Sequence, residues 1–307
     1  MTSVPLRLCV LGGTGFIGSA LVARLVRDGH YVKVLTRNRA RHRALLVLPT
    51  LELVQADPYD EATLRREFAG CDVVVNLVGI LNERGFGGSG FRFAHTELPR
   101  RVHAACRSAA VRRYVHMSSL QAEAERAPSH YLRSKGAAER LLAEAADGSP
   151  AVVIFRPSVV FGPGDGLCTR FARLLRIVPG VFPLACANTR FAPVYVGDVV
   201  AAIVATLDRP GAAGRTFELC GPDVVTLREI VQLTARTLGL RVWVMPLPRP
   251  LAWLQGLVLG LLPGKPFSLD NLRSASVDSV CSLNGLGELG IEPSSLRAVV
   301  PSVLRPR

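Results

Sequence analysis

The chain has 307 residues, 49% of them hydrophobic and 20% charged, with a mean hydropathy of +0.29. That is enough chain for one large α/β unit or for a nucleotide-binding unit with a smaller companion, and the composition excludes extensive disorder. The formal net charge of +13 rests on scattered arginines, with Lys33, Lys135 and Lys265 the only lysines. No nucleic-acid-binding module accompanies the charge, so nucleic acid is set aside as a partner and a phosphorylated cofactor or an anionic lipid is left.

The first element is a short apolar run over residues 6–11 that breaks into Gly12, Gly13, Gly15 and Gly18, followed by a helical stretch over 19–28 that ends at Gly29. Glycines at this spacing between a strand and a helix let backbone amides approach a pyrophosphate, and the helix N-terminus then faces the anion. Gly12, Thr14, Gly15, Phe16, Ile17 and Gly18 are therefore the expected dinucleotide cradle. A second strand, residues 31–35, runs into Thr36 and Arg37. A fold that binds NAD usually offers a carboxylate to the ribose hydroxyls at that place. Arg37, with Arg39, Arg41 and Arg43 behind it, suits a 2'-phosphate better, which favours NADP(H) over NAD(H). The alternative is that these arginines form the solvated first turn of the next helix.

Further strands are expected near residues 51–55, 72–78, 112–116 and 151–155, with helices between them. This alternation predicts an α/β fold, a doubly wound parallel sheet of the Rossmann type. Asp57 follows the third strand, where it would meet the adenine, and Leu77, Val78 and Gly79 follow the fourth, on the ribose side. The glycine-rich stretch 84–91 is either a lid over the sheet's carboxyl edge or a surface loop lengthened without function. Ser118 and Ser119 end the fifth strand. Tyr131 and Lys135 stand four residues apart in a helix expected over 129–146, and so share one face. An ammonium beside a phenol lowers the phenol's pKa and prepares it to exchange a proton with a hydroxyl or carbonyl.

After Arg156 and Pro157 the regularity fades. Residues 1–160 are expected to form the nucleotide-binding domain, with 194–220 returning to it, and 161–307 a smaller substrate or partner region. The most apolar segment, residues 251–262, is too short to span a bilayer. As a helix it lines up Ala252, Gly256 and Gly260 in one stripe. It is open whether this helix is buried, walls a hydrophobic substrate or touches a membrane surface. The seven cysteines show no C-x-x-C spacing, so neither a zinc site nor any other metal site nor a disulfide framework is expected. With a first strand near residue 6 and no room for a targeting peptide, the expected location is the cytoplasm.

Taken together, Gly12-Gly13-Thr14-Gly15-Phe16-Ile17-Gly18, Ser118-Ser119 and Tyr131-x-x-x-Lys135 resemble the short-chain dehydrogenase/reductase superfamily in its extended and atypical members, the NAD-dependent epimerase/dehydratase type. The stretches 116–119, 131–135, 156–163 and 193–199 are similar more narrowly to a subgroup. That subgroup holds the nucleotide-binding accessory subunit of respiratory complex I and its bacterial relatives. The resemblance implies that Tyr131 is the general acid/base, that Lys135 orients the nicotinamide ribose and that Ser119 polarises the substrate oxygen. It also implies that Ser118 belongs to the cofactor site and that Pro157, Ser158 and Val159 lie along the nicotinamide. Extended members usually carry asparagine where this chain has His95, and Gly-Thr where it has Leu98-Pro99. His95 is then either a substitute proton relay or a satisfied structural residue.

The resulting expectation is an oxidoreductase for a hydrophobic carbonyl or hydroxyl compound such as a quinone, isoprenoid or lipid-like molecule. One alternative is a non-catalytic NADP(H)-binding accessory protein of a respiratory or quinone-related membrane complex, peripheral at the inner membrane. The other is a sugar-nucleotide epimerase or dehydratase, against which the apolar region after residue 245 speaks.

Overall fold

A computed structural model describes residues 4–145, 148–178, 180–263 and 265–304. Seven parallel strands form the main sheet: β1 Arg7–Leu11, β2 Tyr31–Thr36, β3 Leu51–Gln55, β4 Val73–Asn76, β5 Arg113–Met117, β6 Ala151–Pro157 and β7 Thr216–Leu219. Their spatial order is β7-β6-β5-β4-β1-β2-β3. The chain therefore winds outward from β1 in both directions, which is the doubly wound Rossmann arrangement.

Both faces of this sheet are buried, and that is why its strands read as continuous apolar runs. Side chains alternate along a strand. Leu8 and Val10 of β1 point to one face, where they meet Leu21, Val22 and Leu25 of α1 (Phe16–Arg27). Val199 and Ile203 join them from a helix over Val196–Thr206 that crosses the same face. Cys9 and Leu11 point to the other face, against Leu64 and Phe68 of α2 (Glu61–Phe68) and Leu98, Val102 and Cys106 of α3 (Leu98–Ser108). The helix that carries the tyrosine and lysine, α4 (His130–Glu144), starts where the Ser129 hydroxyl accepts the Leu132 N–H at 3.1 Å.

Beyond β6 come α5 (Cys168–Ile177), α6 (the Val196–Thr206 helix), α7 (Leu227–Thr237), α8 (Arg249–Leu261), α9 (Leu269–Ser274) and three two-stranded ribbons. One ribbon pairs Gly180–Leu184 in parallel with Val242–Pro246. Strand β7 pairs in parallel with β6 through Thr216 opposite Ile154 and Leu219 opposite Pro157. Phe217 stacks on Phe155 with ring centroids 5.7 Å apart.

The expectation of unpaired cysteines is corrected at two positions, because Cys220 and Cys281 are joined by a disulfide. They lie 61 residues apart in sequence, so no local spacing announces them. The side chain of Asn284 brings them together, its Nδ2 donating to the Cys220 carbonyl at 2.8 Å and its Oδ1 accepting the Cys220 N–H. Cys9, Cys71, Cys106, Cys168 and Cys186 are free.

Replacing Phe217 by alanine leaves a cavity against Phe155 and is expected to cost about 3–5 kcal/mol. Urea unfolding should show a single transition at lower denaturant. Two separate transitions would show that β7 does not fold with the rest of the sheet.

Candidate active site

All seven strands point their carboxyl ends the same way, and every candidate side chain sits on or just beyond that edge. The first turn is shaped by close backbone contact. Gly12 has a φ of +77°, and a Cβ there would lie 2.9 Å from the Leu77 carbonyl carbon. A Cβ on Gly18 would collide with the Gly12 carbonyl oxygen, which already accepts the Gly15 N–H at 3.0 Å. Helix α1 then begins with no side-chain cap and no acid in its first turn, leaving its leading N–H groups and positive dipole end open to an anion. Thr14 is half-exposed and Gly15 exposed beside it, while Phe16 and Ile17 are half-buried and Ile17 packs on the core.

Arg37 is exposed immediately past β2, and Arg39, Arg41 and Arg43 are exposed on a 3-10 turn over Arg39–Val47. None of the four forms an ion pair among the described residues. Asp57 is exposed past β3 and accepts the Tyr59 N–H at 3.0 Å, and the Tyr59 ring stacks on Phe93. Past β4, the Asn76 side chain fixes the turn by accepting the Val78 N–H at 3.1 Å while donating to the Tyr114 hydroxyl. Leu77 and Val78 are half-buried and Gly79 is exposed. A glycine turn that only glycine fits and an uncapped helix end together suit the pyrophosphate of a dinucleotide.

Lys135 is buried, and its Nζ donates to the Met117 carbonyl at 2.8 Å. Burial lowers its pKa to about 8, with Glu139 opposing the change. A Cβ on Gly79 would lie 3.7 Å from that Nζ, so a larger residue there would close over the ammonium. The Tyr131 phenol is hydrogen-bonded to Ser119. Burial holds it above its ordinary pKa, and the Ser119 bond pulls the other way. The expected lowering of the phenol by Lys135 is therefore not what the fold produces, since the ammonium is turned onto the Met117 carbonyl.

His95 is fully buried in a π-helical turn over Phe93–Glu97. Its Nε2 accepts the Ile80 N–H at 2.9 Å, which puts its proton on Nδ1, 2.9 Å from the Ser134 hydroxyl. Ser134 in turn donates to the Tyr131 carbonyl at 2.7 Å. Burial, with Lys135 and His116 adding to it, drives the imidazole pKa down to about 2. With both nitrogens engaged, His95 reads as a neutral strut beneath Tyr131, whose ring it meets edge-on at 5.2 Å.

Two candidate hydroxyls are committed elsewhere. Ser118 donates to Glu139, which also pairs with Arg156, and Ser158 donates to the Ser279 carbonyl at 2.7 Å. Pro157 is buried at the end of β6 and Val159 is half-buried. Four contributors escaped the sequence reading: the Met117 carbonyl, Glu139, Arg156 and Asp270. Glu139 was visible in principle at i+4 from Lys135. Asp270 was not, for it reaches across 139 residues to accept the N–H groups of His130 (2.7 Å) and Tyr131 (3.1 Å) and so fixes the start of α4. The 84–91 stretch is tied down at both ends of its turn. Glu83 accepts the N–H groups of Gly88 and Gly90, and Lys265 donates to the carbonyls of Glu83, Arg84 and Gly85.

A family model described as the NAD dependent epimerase/dehydratase family matches residues 8–220, the span from β1 to the end of β7. The chain belongs to that family. It is 31% identical to "NADH dehydrogenase [ubiquinone] 1 alpha subcomplex subunit 9, mitochondrial" of Mus musculus, covering 96% of this chain and 79% of the relative. It is 30% identical to "Ceramide reductase" of Caulobacter vibrioides, covering 79% and 74%. A solved structure, "MoeE5 in complex with UDP-glucose and NAD", superposes with a TM-score of 0.74 at 23% identity over 96% of each chain, a likeness of fold.

Because Lys135 has a lower pKa folded than the ordinary 10.5, the unfolded chain binds the extra proton between about pH 8 and 10.5. The burden of the buried charge is complete below that window and is lifted as pH rises through it. Relative to Lys135→Met, the nucleotide-free wild type should gain stability over this range in denaturation midpoints. A flat difference between the two proteins would contradict a desolvated ammonium.

Proposed function

We propose that this family member is an NADP(H)-dependent oxidoreductase that reduces a hydrophobic carbonyl compound, lipid-like or quinone-like, or oxidises the corresponding alcohol. The observation that carries this reading is a phenol and a buried lysine, Tyr131 and Lys135, one turn apart on α4, with Ser119 acting on the phenol and the Lys135 ammonium next to Gly79. Bound dinucleotide supplies or accepts the hydride. Gly12, Thr14, Gly15 and the start of α1 would hold its pyrophosphate, Arg37 and its neighbours the 2'-phosphate, and Asp57 with Leu77–Gly79 the adenosine side. Lys135 would take the nicotinamide ribose, with Pro157, Ser158 and Val159 beside the ring.

In the reductive direction Tyr131 gives its phenolic proton to the carbonyl oxygen as that oxygen becomes a hydroxyl, while Ser119 donates to the same oxygen and orients the phenol. A phenol held above its ordinary pKa is protonated at neutral pH, which suits the acid of a reduction. Lys135, its ammonium held on the Met117 carbonyl, serves the cofactor and not the phenol. His95, Ser134 and Asp270 hold the first turns of α4 and so hold the phenol in place. The relative named ceramide reductase supports an apolar substrate, and the exposed apolar surface of α8 agrees with it.

The second reading is a non-catalytic accessory protein that keeps NADP(H) as a structural ligand of a membrane complex. The relatives named as NADH dehydrogenase subunits favour it, as does an imidazole with no free nitrogen to relay a proton. A ligand bound only by the folded state stabilises it by mass action without reacting.

With NADPH oxidation followed by absorbance against a long-chain ketone, a quinone and a lipid extract of the host, Tyr131→Phe should abolish turnover and leave nucleotide affinity unchanged. Tight NADPH binding with no oxidation by wild type under any of these conditions would hand the case to the accessory reading. Arg37→Glu should weaken NADPH by at least about tenfold while leaving NADH little changed. Equal losses for both nucleotides, measured by fluorescence titration, would remove Arg37 from the phosphate site.

A further inference from the structure

Helix α8 is built inside out for a protein in water. Its small residues, Ala252, Gly256 and Gly260, are the buried ones, and a Cβ on Gly256 would touch Leu269 at 3.1 Å. Its large residues face outward: Leu251, Trp253, Leu254, Leu257, Val258 and Leu261 are exposed, from 44% at Leu257 to 69% at Leu261. At 100° per residue these six cover one continuous arc with no polar side chain in it. The one polar residue of the segment, Gln255, is turned in and donates to the Pro183 carbonyl.

Charge says what covers this arc. Residues 230–269 contain Arg236, Arg241, Arg249 and Lys265 and not one aspartate or glutamate. Residues 166–197, which supply the neighbouring ribbon strand Gly180–Leu184, add Arg170, Arg173 and Arg176 and again no acid, while Arg190 in the same stretch is paired with Asp278. Asp270, the next acid along the chain, is spent inward on the N–H groups of His130 and Tyr131. Arg273 sits over the Trp253 ring at 5.8 Å, and Lys265, just past the helix, sits over the exposed Phe86 ring at 4.2 Å. An aromatic ring with a cation beside it at the rim of an apolar face is the side-chain pairing that suits the boundary between headgroups and acyl chains.

We propose that α8 lies flat in the interface of a bilayer containing anionic phospholipid, with its leucine arc among the acyl chains and Arg249, Arg273 and the basic stretches of chain that flank the helix toward the headgroups. Thirteen residues make a helix about 20 Å long, which lies on a bilayer and does not cross it. No helix among the described residues is long and apolar enough to cross one. A protein partner for an apolar arc flanked by acid-free stretches of chain would have to bring its own acids, whereas an anionic leaflet presents them everywhere. This inference does not depend on turnover at Tyr131.

The test uses the full chain with vesicles of phosphatidylcholine alone and of phosphatidylcholine mixed with phosphatidylglycerol. Wild type should sediment with the mixed vesicles and much less with the neutral ones, and salt should weaken the binding. In a Trp243→Phe background, Trp253 emission should shift to the blue on the mixed vesicles. The triple variant Leu254→Gln, Leu257→Gln, Leu261→Gln changes only exposed positions, so its unfolding curve and NADPH affinity should match wild type while vesicle binding falls by at least about tenfold. Three results overturn the proposal: no sedimentation of folded wild type with either vesicle, equal sedimentation with both, or binding unchanged in the triple variant. A wild-type dimer that the triple variant splits, with no vesicle binding, overturns it in favour of a second copy of the chain.

Discussion

A parallel sheet buried on both faces has only its ends to offer to polar chemistry. Seven strands running the same way gather those ends on one edge, where each strand delivers its chain to a turn. The glycine turn after β1, Arg37 after β2, Asp57 after β3, Gly79 after β4 and Ser119 after β5 occupy one line because the register of the sheet puts them there. The line is held at its centre by backbone against backbone, the turn at Gly12 lying against Leu77 and α1 approaching the Gly12 carbonyl at Gly18. A methyl group at Gly12 forces the β1 and β4 ends apart, and one at Gly18 pushes α1 off the turn.

The electrostatics of the site follow from how dry it is. Lys135, His95 and His116 are buried within reach of one another, and burial together with the lysine's field lowers both imidazoles, His116 to about 3. The result is a polar cluster with one positive charge, held on the Met117 carbonyl. Desolvation that costs stability in the nucleotide-free protein is the same desolvation that strengthens every interaction made there. Asp270 couples this cluster to the helices after β7, since the carboxylate that fixes the start of α4 comes from the first turn of α9, next to α8.

Helix α8 differs from the sheet in what it does with apolar residues. The sheet hides them, whereas α8 hides its glycines and shows its leucines. Close approach of α8 to the segment before α9 requires small residues at the contact, and once those take the inner face the leucines have nowhere to go but out. The exposed surface is thus a consequence of tight packing beneath it, and it stands next to the site in a molecule with a large excess of positive charge.

Much of this was legible from the residues alone. Continuous apolar runs gave the buried parallel strands, glycine spacing gave the tight turn into α1, the four-residue step from Tyr131 to Lys135 set both on one helix, and the small stripe at residues 252, 256 and 260 was visible as a contact. These are patterns within one element, governed by helix and strand periodicity and by glycine's steric freedom. The tertiary structure decided what depends on distant partners. It paired Cys220 with Cys281, sent the Ser118 and Ser158 hydroxyls to Glu139 and Ser279, turned Lys135 onto Met117, filled both nitrogens of His95 and put the leucines of α8 outside. A sequence records which groups a residue carries and how they repeat. Which group meets which across a hundred residues, and on which side of a helix water lies, is fixed only when the elements pack.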